Sequence, residues 1–179
     1  TRLVGSEMCI RDSKNNNPEA GQQFGFPSPV VMAQTWNTDL IEDLGVAFAH
    51  EGLHLGIYVF YAPGANIHRS PYSGRNWEYY SEDSVLSGLI GAAQCLGIEE
   101  KGNIAYVKHF AFNDTETYRH YCGIWSNEQA AREIYLKAFE IIFTDGKASG
   151  TMNSFTRVGT RWSGMCKELQ TVSYTHLRA

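Results

Sequence analysis

Between Phe26 and Trp162 the spacing of apolar positions changes repeatedly, and each change marks an element. The stiff string Phe26-Pro27-Ser28-Pro29 leads into a short apolar run, residues 30–33, that reads as a strand. Asn37 or Thr38 then caps a helix, with Asp39 and Glu42 favourable in its first turn. Leu40, Ile41, Leu44, Ala47, Phe48 and Leu55 fall near helical spacing, and Gly56 supplies the stop. Residues 57–61 are all β-branched or aromatic, the mark of a buried strand. After a long polar stretch, Ser81 or Asp83 caps a second helix whose apolar positions are Val85, Leu86, Leu89, Ile90 and Ala93, with Gly97 just past its end.

Residues 103–108 form the next strand and deliver Lys108 and His109 at its C-terminal end. Residues 110–125 are a second loop rich in Asn, Asp, Glu, His and rings. Ser126 followed by Gln129 is a capping box, opening a helix to about Phe143 with Ile134, Tyr135, Ala138, Phe139 and Ile142 inward. Asp145-Gly146 turns the chain, and residues 150–155 are a short strand. Strand and helix therefore alternate, which predicts an α/β protein: parallel strands with crossover helices, in a doubly wound sheet or a barrel. Loops after strands are long and polar while loops after helices are short and plain. That asymmetry favours part of a (β/α)8 TIM-like barrel, whose chemistry sits at the C-terminal ends of its strands.

Composition narrows the partners. A net charge of −4 argues against nucleic acid and anionic membrane, both of which call for basic surface. No apolar run reaches the length of a membrane span. Cys9, Cys95, Cys122 and Cys166 show neither a CxxC pair nor metal-ligand spacing and read as free thiols. Residues 1–13 lack the continuous apolar stretch of a signal peptide.

The candidate chemistry concentrates in residues 61–83, YAPGANIHRSPYSGRNWEYYSED. Loops of this length are uncommon in compact domains and are usually functional. Asn66, His68, Arg69, Arg75, Asn76, Trp77 and Glu78 offer amide, guanidinium and aromatic groups suited to a hydroxyl-rich ligand. A rival motif precedes it. His50-Glu51-Gly52-Leu53-His54 matches H-E-x-x-H, the signature of a zinc metallopeptidase, in which the histidines hold the metal and the glutamate activates water. The continuation Leu55-Gly56-Ile57 does not extend the motif, no third ligand follows on a second helix, and Gly52 weakens the helix that must hold it. The plainer reading is an exposed histidine pair near a helix end.

The strings FPSPV, APGANIHRSPYSGRNWEYYSED, VKHFAFNDTE and REIYLKAFE occur in one order, and from about Phe26 to Trp162 the chain resembles the N-terminal barrel domain of family 3 glycoside hydrolases, the β-glucosidase family. The resemblance implies a partial domain over residues 14–171 of a retaining β-glycosidase. Such an enzyme uses one carboxylate as nucleophile and a second as acid/base, with no cofactor or metal. It implies sugar-binding roles for Arg75, Lys108, His109, Met152 and Phe155, and a β-linked glucoside or oligosaccharide as substrate. The family's nucleophile and acid/base would lie downstream of this chain, in the remainder of the barrel and the following domain. A sugar-contacting aspartate would precede Phe26. The remaining alternative is a non-catalytic carbohydrate-binding domain of the same fold. Where the family commonly has Ser-Tyr-Asn or Ser-Phe-Asn, this chain has Ser154-Phe155-Thr156, so Phe155 lacks a tyrosine's hydroxyl and Thr156 replaces asparagine.

Residues 1–13 and 172–179 lack clear periodicity and resemble translated sequencing-adapter sequence, so both are expected to be foreign to the natural protein. Trp77, Tyr79 and Tyr80 are expected to buttress the long loop, and the sequon Asn113-Asp114-Thr115 to go unused because it lies in a site loop.

Overall fold

The computed structural model describes residues 25–175. Residues 1–24 and 176–179, with Cys9 among them, lie outside the described part. Its elements in chain order are α1 (Pro29–Gln34), α2 (Thr38–His54), β1 (Val59–Phe60), α3 (Ser84–Glu100), β2 (Ile104–Phe110) and β3 (Gly123–Ile124). Then come α4 (Glu128–Ala130), α5 (Lys137–Thr144), β4 (Gly150–Asn153), β5 (Arg157–Val158), β6 (Arg161–Trp162) and α6 (Lys167–Thr175).

The main sheet is parallel and ordered β1-β2-β4, with Phe60 opposite Ala105 and Lys108 opposite Met152. Its order follows the order of the chain, and helices form both crossovers. A doubly wound sheet reverses order at a switch point; a barrel wall does not. The described strands run as a barrel wall runs. A smaller sheet, β3-β5-β6, is built from the segments that follow β2 and β4. No helix among the described residues is long and apolar enough to cross a membrane.

Residues 30–33 depart from the expected strand and lie in α1. Ser28 stays extended as N-cap while Pro29 takes the first turn, where its missing N–H costs nothing. Pro29, Met32 and Ala33 are buried at helical spacing, and Val31 faces out. The ends of α2 are as expected: the Asn37 side chain accepts from the Leu40 amide at 3.1 Å, and Gly56 takes a φ of +73°. Its buried stripe is Ile41, Gly45, Phe48, Ala49 and Gly52, which leaves Leu40 exposed. Asp83 caps α3 through the Leu86 amide at 2.7 Å. Ile90 and Ala93 of α3 are buried, whereas Val85 and Leu89 are exposed, contrary to their expected placement.

Gly97 also departs from expectation, lying inside α3 and not beyond it. A Cβ there would stand 2.1 Å from the Glu42 carbonyl oxygen, and one on Gly45 would stand 3.0 Å from the Gly97 Cα. The two helices cross backbone to backbone at this pair. The helix predicted from Ser126 is capped instead by Asn127, whose side chain accepts from the Ala130 amide at 2.7 Å. A π-helical turn, Ala131–Tyr135, separates α4 from α5 and leaves Ile134 exposed, while Ala138, Phe139 and Ile142 are buried as expected. Phe110 of β2 meets Phe139 edge-on at 5.1 Å, fixing this helical segment to the sheet.

Candidate active site

The C-terminal ends of β1, β2 and β4 carry residues 61–83, the Lys108–Phe110 strand end, and residues 154–156. The long loop is ordered by its own polar groups. Gly64 bridges in parallel to both Tyr79 and Lys108, so the loop starts and ends against the sheet. The Asn66 side chain donates to the His109 carbonyl at 3.1 Å and accepts from the His109 amide at 2.9 Å, imitating a neighbouring strand. Asn76 donates to the Ser70 carbonyl at 2.8 Å, His68 meets the Tyr79 carbonyl at 2.9 Å, and Arg69 donates to the Tyr135 hydroxyl. These side chains, which looked like ligand groups in the sequence, hold the loop. Tyr79 and Tyr80 are buried beneath it as expected; Trp77 is 47% exposed and does not buttress it in that way.

At the centre lies Glu78. Its carboxylate accepts from Lys108 Nζ at 2.6 Å through Oε1 and from Arg75 Nε at 2.7 Å and Arg75 Nη2 through Oε2. Glu78 is 2% exposed and Lys108 7%, so the cluster is nearly dry. Burial alone would raise the Glu78 carboxyl, but the Lys108 and Arg75 charges outweigh it and hold the group below its ordinary value. Arg75 is moved the other way: burial disfavours its charge, and Glu78 more than compensates. Arg75 Nη1 also reaches Glu116 Oε2 at 3.4 Å, and Arg119 Nη1 binds Glu116 Oε1 at 2.9 Å.

His109 stands beside this cluster. Burial, with the Arg75 charge behind it, lowers its imidazole to about 3, so it is neutral at ordinary pH. Asn113 Nδ2 donates to the Tyr79 hydroxyl at 2.8 Å, and that hydroxyl lies 3.1 Å from His109 Nδ1. The Tyr79 hydroxyl and His109 Nδ1 thus share one hydrogen bond, its donor set by the imidazole tautomer. The site therefore brings together a guanidinium, an ammonium and a neutral imidazole, with one carboxylate fixing the first two.

The remaining expected residues join through the neighbouring strand. Met152 is the register partner of Lys108 and is half-buried. Phe155 is 46% exposed, with Arg119 over its ring at 4.7 Å and the His120 ring at 4.7 Å. Ser154 and Thr156 turn inward and bond to the Ala111 carbonyl at 2.6 and 3.1 Å, so the threonine has a packing role there. All five expected residues thus share one end of the sheet. The sequence suggests a salt bridge from Arg75 to Glu78 and an orienting role for Glu116; that the same Glu78 carboxylate anchors Lys108, and that Arg119 joins Glu116, was not read from it. The i, i+3 spacing of Arg75 with Glu78 and of Glu116 with Arg119 was the available signal.

Asp114 is also buried, its Oδ1 has no hydrogen-bond partner among the described residues, and burial raises its carboxyl to about 7. Asn113, the first residue of the sequon, is 1% exposed. His50 and His54 are exposed on α2, whose C-terminus leads into the N-terminal end of β1, across the sheet from Lys108. Among the described residues no group of three or more His, Cys, Asp or Glu side chains is placed to hold a metal ion. Cys95, Cys122 and Cys166 are free thiols.

Parallel strands in chain order with buried cations at their C-terminal ends fit the wall of an α/β-barrel, and comparison with known proteins gives the family. Residues 17–172 match the glycosyl hydrolase family 3 N terminal domain, and the chain belongs to that family. It is 40% identical over 155 residues to beta-glucosidase A of Butyrivibrio fibrisolvens, covering 86% of this chain and 19% of that protein. It is 38% identical over 152 residues to a beta-glucosidase of Ruminococcus albus, covering 83% of this chain and 16% of the relative. Beta-glucosidase 3B of Thermotoga neapolitana, solved in complex with glucose, superposes with a TM-score of 0.84 at 36% identity, over 90% of this chain and 24% of that one. The chain thus spans less than a quarter of the length of these proteins.

Proposed function

We propose that this chain forms part of the sugar-binding wall of a retaining β-glycosidase acting on β-linked glucosides or oligosaccharides. Arg75, Lys108 and His109 are its hydroxyl donors, and Met152 and Phe155 line the adjoining wall. In the reaction, one carboxylate displaces the leaving group and a second protonates it and then activates water. Both carboxylates belong to polypeptide beyond this chain, in the rest of the barrel and the domain after it.

The observation that carries this reading is the buried Glu78 carboxylate, which fixes Lys108 and Arg75 beside His109 at the strand ends. A purely structural ion pair needs one cation. Arg75, Lys108 and Arg119 meet the two carboxylates of Glu78 and Glu116, so the cluster keeps a net positive charge and its cations are all N–H donors. Such donors orient a polyol and compete poorly for any ligand that cannot accept hydrogen bonds. That the relatives are named beta-glucosidases supports the sugar class.

The test is an exchange protein in which residues 17–172 replace the matching segment of the Butyrivibrio fibrisolvens enzyme. It is expected to hydrolyse 4-nitrophenyl β-glucoside, and Lys108→Ala to lower kcat/KM about tenfold to hundredfold, as loss of a charged hydrogen bond worth about 1.5–3 kcal/mol implies. Full activity in Lys108→Ala, or none in the parent exchange, contradicts the proposal.

A further inference from the structure

Trp125 is 80% exposed, and the donor cluster does not account for it. It follows β3 directly, and its indole is positioned from below. The Trp125 six-membered ring lies over Gly159, 3.6 Å from where a Cβ on that residue would stand, and its Nε1 lies 3.6 Å from the same point on Gly123. Gly159 has a φ of +61° at the turn between β5 and β6, a conformation that favours glycine. β3 and β5 approach so closely that a Cβ on Gly123 would stand 2.8 Å from the Gly159 carbonyl oxygen. The indole is thus held on a rigid two-strand support with its other face bare.

Beside it is an open cleft of about 390 Å³ whose lining includes Val158, Thr160, Arg161 and Glu168. Arg161 and Glu168 face each other at 3.3 Å and are solvent-exposed, so both keep hydrogen-bonding capacity. An aromatic face flanked by a guanidinium, a carboxylate and a hydroxyl matches a pyranoside, which is apolar on its C–H face and polar around its rim.

The position is continuous with the candidate site. Arg119 and His120, which cover Phe155, belong to the loop that leads into β3. Phe155 lies just before β5, and the Arg157 amide bonds to the Cys122 carbonyl at 3.1 Å. Phe155 and Gly159 are four residues apart, at most ~14 Å of chain. That bound lies within the reach of a short oligosaccharide.

We infer that Trp125 is a stacking platform for a distal sugar ring of a β-linked oligosaccharide, on the side away from the Arg75–Lys108 donors. The inference rests on the glycosidase reading given above. A platform of this kind binds longer substrates without touching the bond that breaks, so its loss is selective for substrate length.

The experiment compares 4-nitrophenyl β-glucoside with cellotetraose in the exchange protein. Trp125→Ala is expected to lower kcat/KM for cellotetraose about tenfold, mainly through KM, and to leave the aryl glucoside within about twofold. Trp125→Phe, which keeps an aromatic face, is expected to recover most of the loss. Equal loss on both substrates would show that the indole is merely structural, and unchanged cellotetraose hydrolysis would show that it binds nothing; either overturns the inference. Hydrolysis of neither substrate by the parent exchange protein would instead remove the glycosidase reading on which the inference stands.

Discussion

Glu78 decides more of the candidate site than any residue that touches solvent. Replacing it by glutamine keeps the shape and removes the charge that Lys108 and Arg75 share. Breaking a buried ion pair from one side costs about 3–5 kcal/mol, because the partner cation stays buried without compensation. Glu78→Gln in the exchange protein is therefore expected to lower the urea midpoint of unfolding and to raise KM for the aryl glucoside. The pH dependence has a definite sign. A carboxyl held below its ordinary value in the folded state adds stability above the unfolded pKa, about 4.3. That contribution disappears as pH falls through the lower folded value. The gap in stability between wild type and Glu78→Gln should thus be full at pH 7 and narrow progressively as pH falls below the unfolded carboxyl's ~4.3. A gap that stays constant from pH 7 to pH 3 would mean that Glu78 acts through packing alone. The sequence pointed to Arg75, Lys108 and His109 through motif resemblance, and to the Arg75–Glu78 contact through spacing. It did not reveal that Lys108, thirty residues further on, meets the same carboxylate, because that meeting depends on the parallel bridge from Gly64 to the sheet. Nor could it separate ligand groups from loop supports: Asn66 and Arg75 are both polar residues of one loop, and only the fold shows that the first is spent on the His109 backbone.

Elements with strong local signals were readable, and those decided by neighbours were not. Asn37, Gly56 and Asp83 act at helix ends through local chemistry, so their roles were visible in the chain. Residues 30–33 form an apolar run too short for periodicity to choose between strand and helix, and the Ser28-Pro29 start decides for helix. Gly97 was misread for a different reason. A glycine near a helix end is the usual stop signal, but here its missing side chain admits the backbone of α2. Gly97→Ala would place a Cβ 2.1 Å from the Glu42 carbonyl oxygen and 2.7 Å from the Val46 amide nitrogen, both backbone atoms that cannot rotate away. The helices must separate, and overpacking of this kind costs about 1–3 kcal/mol or more. In the exchange protein, Gly97→Ala is expected to lower the urea midpoint clearly, whereas Gly102→Ala acts only through its turn, since a Cβ there meets nothing within 4 Å. Stability unchanged by Gly97→Ala would show that the crossing is looser than its geometry.

At the scale of the whole molecule, the alternation of strand and helix predicted the barrel wall correctly, but the wall has two unpaired sides. Among the described residues β1 pairs with β2 alone and β4, on its strand-long face, with β2 alone. Each of those strands ends the main sheet among the described residues, and an open sheet edge readily templates pairing with another chain. The exposed apolar side chains Val31, Trp36, Val85 and Leu89 add surface that favours association. β1 is only two residues long and gives a weak template; β4, with four residues and a half-buried pattern, gives a better one. The isolated 179-residue chain is therefore expected to self-associate at micromolar concentration and to melt over a broad range, as seen by light scattering and calorimetry. A proline at Thr151, in β4, should reduce association if the β4 edge is responsible, since proline removes a ladder donor, although it also tests the Thr151 contact with the Val107 carbonyl. Thr151→Ala loses that hydroxyl but keeps the backbone N–H and serves as the control. A monodisperse chain with a sharp cooperative transition would mean that these edges are closed by the chain itself, and the barrel-wall reading of its two sides would have to be given up.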